Sequence, residues 1–116
     1  MQLDMTGFVD RENNGIGLTD EGTDAGLNAF VSDLVINYIK LPAGAVHCGF
    51  ACSDHVGWYN HASRVVYPFE TMNDTGNPYK HTTDDVLKKL SLVHMVDFIK
   101  LCVAFAVELA EPVTKS

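Results

Sequence analysis

Apolar residues recur along this chain with two periods. From about Asp24 to Ile39, Leu27, Phe30, Val31, Leu34, Val35 and Tyr38 fall at helical spacing, which predicts an amphipathic helix. Thr23 or Asp24 can cap its start, and Leu41-Pro42-Ala43-Gly44 ends it. A second long helix is predicted from Ser91 to about Ala110, with Leu92, Met95, Val96, Ile99, Cys102, Val103 and Ala106 as its apolar stripe and Phe98 and Phe105 widening it. That spacing leaves His94 on the polar side. Shorter helices are expected over His55 to Ala62 and about Thr83 to Leu90. Alternation over Met1 to Thr6 reads as a strand, with Asp4 out of place in its interior. Ile16 to Thr19, Ala45 to Cys48 and the apolar run Val65 to Phe69 are further strands, Pro68 confining the last to an end or an edge.

Strands alternating with helices predict an α/β layer architecture with a mostly parallel sheet. Three or four short strands are few for helices this apolar. Part of their apolar surface is therefore expected to need more protein to cover it. At 116 residues the chain is one domain at most.

Composition narrows the function classes. A formal charge of −7 argues against nucleic acid or an anionic membrane surface as the partner, because both would repel it. The longest apolar run, Leu101 to Ala110, is too short to span a bilayer and is interrupted by Glu108. Cys48 and Cys52 are close enough to bridge across a turned loop, but spacing alone does not decide that they do. Cys102 lies in the apolar stripe and reads as a buried free thiol. Asn73-Asp74-Thr75 is a glycosylation sequon of the kind that also arises by chance. Nothing at the N-terminus resembles a secretion signal.

The residues with chemistry fall in two clusters, Cys48-Gly49-Phe50-Ala51-Cys52-Ser53-Asp54-His55 and Asn77-Pro78-Tyr79-Lys80-His81-Thr82-Thr83-Asp84-Asp85. His81 lies between a proline turn and a run of hydroxyls and carboxylates, a setting that suits a metal ligand. Asp4 at a strand's carboxyl end is placed where α/β sheets bind cations. His55 could orient a neighbour as easily as contact a substrate, whereas His47 and His61 lack such context. Glu70 is read as a strand-end acid or, more safely, a solvated loop residue. No Gly-x-Ser-x-Gly elbow is present, so Asp54-His55 does not signal a hydrolase triad.

Taken in order, Gln2-Leu3-Asp4-Met5-Thr6, Cys48 to His55, Pro68-Phe69-Glu70, Asn77-Pro78, His81 to Asp85 and Glu108-Leu109-Ala110 resemble the zinc-dependent leucyl aminopeptidases of the secreted bacterial and fungal type. The resemblance implies a partial three-layer α/β/α sandwich with a mostly parallel mixed sheet, residues 1–116 being the C-terminal half of a zinc peptidase domain. In that family two zinc ions activate water, polarise the scissile carbonyl and anchor the free amino group. Asp4 would ligate one zinc and His81 the other. Ser53, Asp54 and Asp85 would hold ligands in place. Met5, Phe50, Phe69 and a Cys48–Cys52 disulfide loop would line the pocket for the N-terminal side chain. The substrate would be a peptide with a free N-terminus, and the location extracellular.

The same resemblance implies that the N-terminal strands, the remaining ligands and the general base lie before Met1. The chain is then expected to be a fragment or truncated gene product, inactive alone, with weak or no zinc binding and self-association through exposed sheet. An alternative is a catalytically dead truncated homologue acting as a peptide- or partner-binding module. Phe50 stands where many members carry a tyrosine that helps stabilise the tetrahedral intermediate. Lys80 stands where the pocket is usually apolar, and Ala62-Ser63-Arg64 replaces the usual Gly-Tyr-Pro.

Overall fold

The computed structural model describes residues 1–112. Its frame is a three-stranded mixed sheet of order β2-β1-β3. The central strand β1 (Ile16–Thr19) runs parallel to β2 (Ala43–Val46) and antiparallel to β3 (Pro68–Phe69). All four residues of β1 are buried, as expected of a strand covered on both faces. Gly17 is required there: a Cβ would stand 2.1 Å from the Thr71 carbonyl oxygen and 2.4 Å from a Val46 methyl. Pro68 opens β3, where its missing N–H costs the ladder little.

Helix α1 (Ala25–Leu34) starts at Asp24, whose Oδ1 accepts from Leu27 N at 2.7 Å. It continues as a wider π-helical turn over Val35–Ile39 and stops at Lys40, which adopts a left-handed conformation at φ 63°. The short α2 (His55–Asn60) follows the cysteine loop. The long α3 (Leu92–Ala110) starts at Ser91, whose hydroxyl accepts from His94 N. Ile16 and Leu18 of β1, Val31, Leu34, Val35 and Ile39 of the first helix, and Phe98 and Leu101 of α3 form one core with Val66.

Four expectations are corrected. Met1 to Thr6 is not a strand: Met5 has φ 71°, which breaks an extended run, and Gln2 N to Val66 O (2.9 Å) is the main-chain bond tying this segment to the Val65–Tyr67 run. The segment 83–90 is not a helix but a turn with one 3₁₀ stretch, Leu87–Lys89. Val86 and Leu87 are exposed and have no surface to pack on. The buried face of α3 is His94, Phe98, Leu101 and Ala104, and the expected stripe through Leu92, Val96, Ile99 and Val103 is exposed. The helix is apolar nearly all round, so periodicity did not choose between its faces. His94 is consequently buried, at 2% exposure, with Nε2 bonded to the Glu70 carbonyl at 2.9 Å. Cys102 is a free thiol, half-buried, with burial pushing its pKa up.

Candidate active site

The loop after β2 is pinned at several points. Cys48 and Cys52 are disulfide-bonded, with Cα atoms 6.2 Å apart. Glu21, just after β1, accepts from the Cys48 N–H at 2.8 Å and from the Gly49 N–H. Gly49 has φ 77°, a conformation its missing Cβ permits. The His47 N–H donates to Asp74 Oδ1 at 2.8 Å. His55 is buried against the Tyr67 ring, centroids 4.8 Å apart, with Nε2 bonded to the Glu21 carbonyl at 2.9 Å. His55 therefore anchors the loop and does not face a substrate.

Beside this loop lies a cavity of about 350 Å³. It brings together residues distant in sequence: Asp4 and Met5 from the N-terminal segment, Cys48, Phe50 and Cys52 from the disulfide loop, Phe69 from β3, and His81 from the long loop. Tyr67, Asp74, Thr75 and Lys80 complete the lining. Ser53 Oγ donates to Asp4 Oδ2 at 2.7 Å and accepts from Gln2 Nε2 at 3.0 Å, so it orients the Asp4 carboxylate. The Tyr67 hydroxyl donates to the Asp4 carbonyl at 2.8 Å. Burial, then the charges of Asp4 and Glu70, push the Tyr67 pKa up, so it keeps the proton that it donates.

Among the described residues, four non-glycine positions have positive φ. Lys40 and Ala62 end helices, a common use of that conformation. Met5 and His81, at φ 71° and 64°, instead line the cavity. Backbone held in sparsely populated conformations is concentrated at sites where geometry matters more than local stability.

Asp54 and Asp85 are not among the lining residues. Asp54 precedes α2 without a side-chain capping bond and borders a separate hollow with Gly57, Trp58 and His61. Asp85 is exposed.

The homologies now bear on this geometry. No protein-family model matches the chain. It is 36% identical over 119 residues to leucine aminopeptidase 1 of Neurospora crassa, covering 95% of this chain and 29% of that protein. A probable leucine aminopeptidase of Trichophyton verrucosum is 38% identical over 111 residues, with 95% and 29% covered. Among solved structures, the Legionella pneumophila LapA aminopeptidase superposes with TM-score 0.89 at 38% identity, over 97% of this chain and 30% of that one. LapB from the same organism gives 0.87 at 43% identity, over 94% and 30%.

Over nearly its whole length the chain is homologous to one part of the leucine aminopeptidases. It spans about 30% of the length of the relatives it matches.

Leucine aminopeptidases are peptide hydrolases by name, and zinc is the metal that the resemblance implies. An oriented carboxylate and an imidazole on one cavity are donors zinc accepts, but two fall short of the three or four protein ligands of a zinc site. The cavity residues fit part of such a site. Among the described residues, a group of ligand geometry lies elsewhere, at Asp20, Glu21 and His47.

Several contributors were not anticipated from sequence. Glu70 is not a solvated loop residue. It is 2% exposed, and its Oε2 accepts from Gly7 N and Phe8 N, both at 2.7 Å. Burial pushes its carboxyl up more than those N–H groups pull it down. Its Oε1 is buried without a partner. The Pro68-Phe69-Glu70 motif could have suggested a fixed role, but not its partners. His47, which lacked context in sequence, pairs with Asp20 and Glu21. The sequon amide of Asn73 donates to Asp10 Oδ2 at 2.7 Å, while its oxygen accepts from Thr75 and Gly76.

Proposed function

We propose that these residues form the substrate-facing part of a dinuclear-zinc aminopeptidase that hydrolyses N-terminal residues from peptides. The observation that carries this reading is the single cavity on which Asp4, His81 and the disulfide wall converge. Asp4 and His81 would each hold one zinc, with Ser53 fixing the Asp4 carboxylate. When bound, the metal pair activates water and polarises the scissile carbonyl. The chain's own residues bind and orient the substrate: Met5, Phe50 and Phe69 receive the N-terminal side chain, and the Cys48–Cys52 bridge keeps the wall from yielding.

Lys80 and Asp74 add charges of opposite sign to the lining, so the pocket favours polar N-terminal residues more than a wholly apolar one would. The disulfide agrees with an extracellular location, and no helix among the described residues is long and apolar enough to cross a membrane. The partner is a peptide with a free N-terminus, not nucleic acid or a membrane surface.

The test is a chimera in which the matching segment of LapA is replaced by this chain, assayed on leucine p-nitroanilide. The chimera is expected to turn over substrate, and Asp4→Asn or His81→Gln to lower kcat/KM by at least about 100-fold, since even outer-shell partners of metals cost 10–100-fold. The 116-residue chain alone, in excess zinc, is expected to give no turnover. A folded chimera whose activity ignores both substitutions contradicts the assignment.

A further inference from the structure

Outside the cavity, Asp20, Glu21 and His47 converge where the end of β1 meets the end of β2. His47 Nδ1 lies 2.8 Å from Glu21 Oε1 and 3.2 Å from Asp20 Oδ1. A tetrahedral ion with bonds of about 2.0–2.1 Å to nitrogen and oxygen holds its ligands about 3.3 Å apart. The 3.2 Å separation is close to that edge, and the 2.8 Å one, a hydrogen-bond distance, would open by about 0.5 Å to reach it. Two carboxylates and one imidazole are also the donor types that zinc accepts together.

The three side chains are oriented from behind. The Cys48 N–H donates to Glu21 Oε2 and the Gly49 N–H to Oε1, which retains a second lone pair. Asp74 holds the His47 backbone N–H. Metal ligands are characteristically fixed by such outer bonds. With the imidazole neutral, the group carries two negative charges, which favours a divalent cation over water or a monovalent ion.

We propose that Asp20, Glu21 and His47 form a zinc-type divalent cation site, distinct from the cavity, that clamps the start of the disulfide loop to the central strand. Binding through Nδ1 takes the neutral His47 ring as its Nε2–H tautomer, so an imidazolium gives up its Nδ1 proton to solvent and a neutral Nδ1–H ring shifts that proton to Nε2; a fourth position is left for water. The ion replaces a proton-mediated contact with three metal bonds, and so stiffens the wall that carries Phe50 and Cys52. The proposal does not depend on the aminopeptidase reading.

Zinc titration of the 116-residue chain against a chromophoric chelator tests it. His47→Gln and Asp20→Asn should each weaken binding about tenfold or more, while the double variant Asp4→Asn/His81→Gln should leave it within about twofold. His47 is exposed, so its substitution should preserve the fold, and circular dichroism checks that. Should either single variant not fold, the shift of the His47 ring nitrogens on adding zinc to the parent decides. Retention of binding in His47→Gln with loss in the double variant overturns the proposal. So does a parent chain that binds no zinc at millimolar concentration, or unmoved His47 resonances.

Discussion

Glu70 organises the N-terminal segment more than any apolar side chain does. Gly7 and Phe8 lie just after the Asp4-Met5 pair, and their N–H groups reach only the Glu70 carboxyl. Removing it in Glu70→Ala leaves buried donors unsatisfied and should cost on the order of 3 kcal/mol in urea melts; Glu70→Gln, which keeps an acceptor, should cost about 1 kcal/mol or less. Because its folded pKa is raised, the folded chain keeps a proton that the unfolded chain has released. Stability contributed by Glu70 is thus full below the ordinary glutamate pKa of about 4.3 and lost as pH rises through the folded value. Glu70→Gln should abolish that decline, and a parent and variant with identical pH profiles would contradict it. Phe50, 67% exposed on the cavity rim, has no hydroxyl to donate to a reacting oxygen. In the LapA chimera, Phe50→Tyr should raise kcat by about 100-fold, the scale set by one oxyanion donor; unchanged steady-state kcat would remove that residue from the account.

Elements were legible from sequence where one chemical signal dominated. The first helix was readable because periodicity agreed with a capping signal at Thr23 or Asp24, of which Asp24 is the cap, and periodicity placed the start of α3 at Ser91. The faces of α3 were not, because Leu92, Val96, Ile99 and Val103 are as apolar as the residues that pack. His94 was misplaced for a related reason: a buried histidine needs one carbonyl, and Glu70, 24 residues away, supplies it. The first segment looked like a strand through alternation, yet it makes one main-chain bond, Gln2 N to Val66 O, and its Asp4 carbonyl accepts from the Tyr67 side chain. Asp4, His81 and the cysteine loop were identifiable by motif, whereas Glu21 and His47 became a pair only when β1 and β2 aligned. The α1 cap separates two energies carried by one residue. Asp24 caps Leu27 N and pairs with Arg64 at the surface. Asp24→Ala, which removes the cap as well as the ion pair, should lower stability in thermal or urea unfolding clearly more than Arg64→Ala, which removes only the exposed pair. Equal costs would mean the cap contributes little.

At the scale of the molecule, the exposed apolar surface is helical more than it is sheet. Val96, Ile99, Val103 and Val107 are exposed along α3, and a groove of about 370 Å³ runs beside them to Tyr38, whose hydroxyl bonds Glu108. A contiguous exposed apolar patch favours association. The chain is therefore expected to elute above its 12.7 kDa monomer mass in light-scattering chromatography, and Val96→Glu with Ile99→Lys to return it to monomer. A monodisperse parent monomer would refute that. The same surface would be covered in a longer protein, which agrees with a chain spanning about 30% of its relatives' length.

Asp4 and His81 line one cavity, where the proposed function has them face zinc. Zinc-edge anomalous diffraction from crystals of the LapA chimera tests it most directly. Anomalous peaks bonded to the Asp4 carboxylate and the His81 imidazole are expected. Zinc bound in the domain with both side chains unliganded would contradict it.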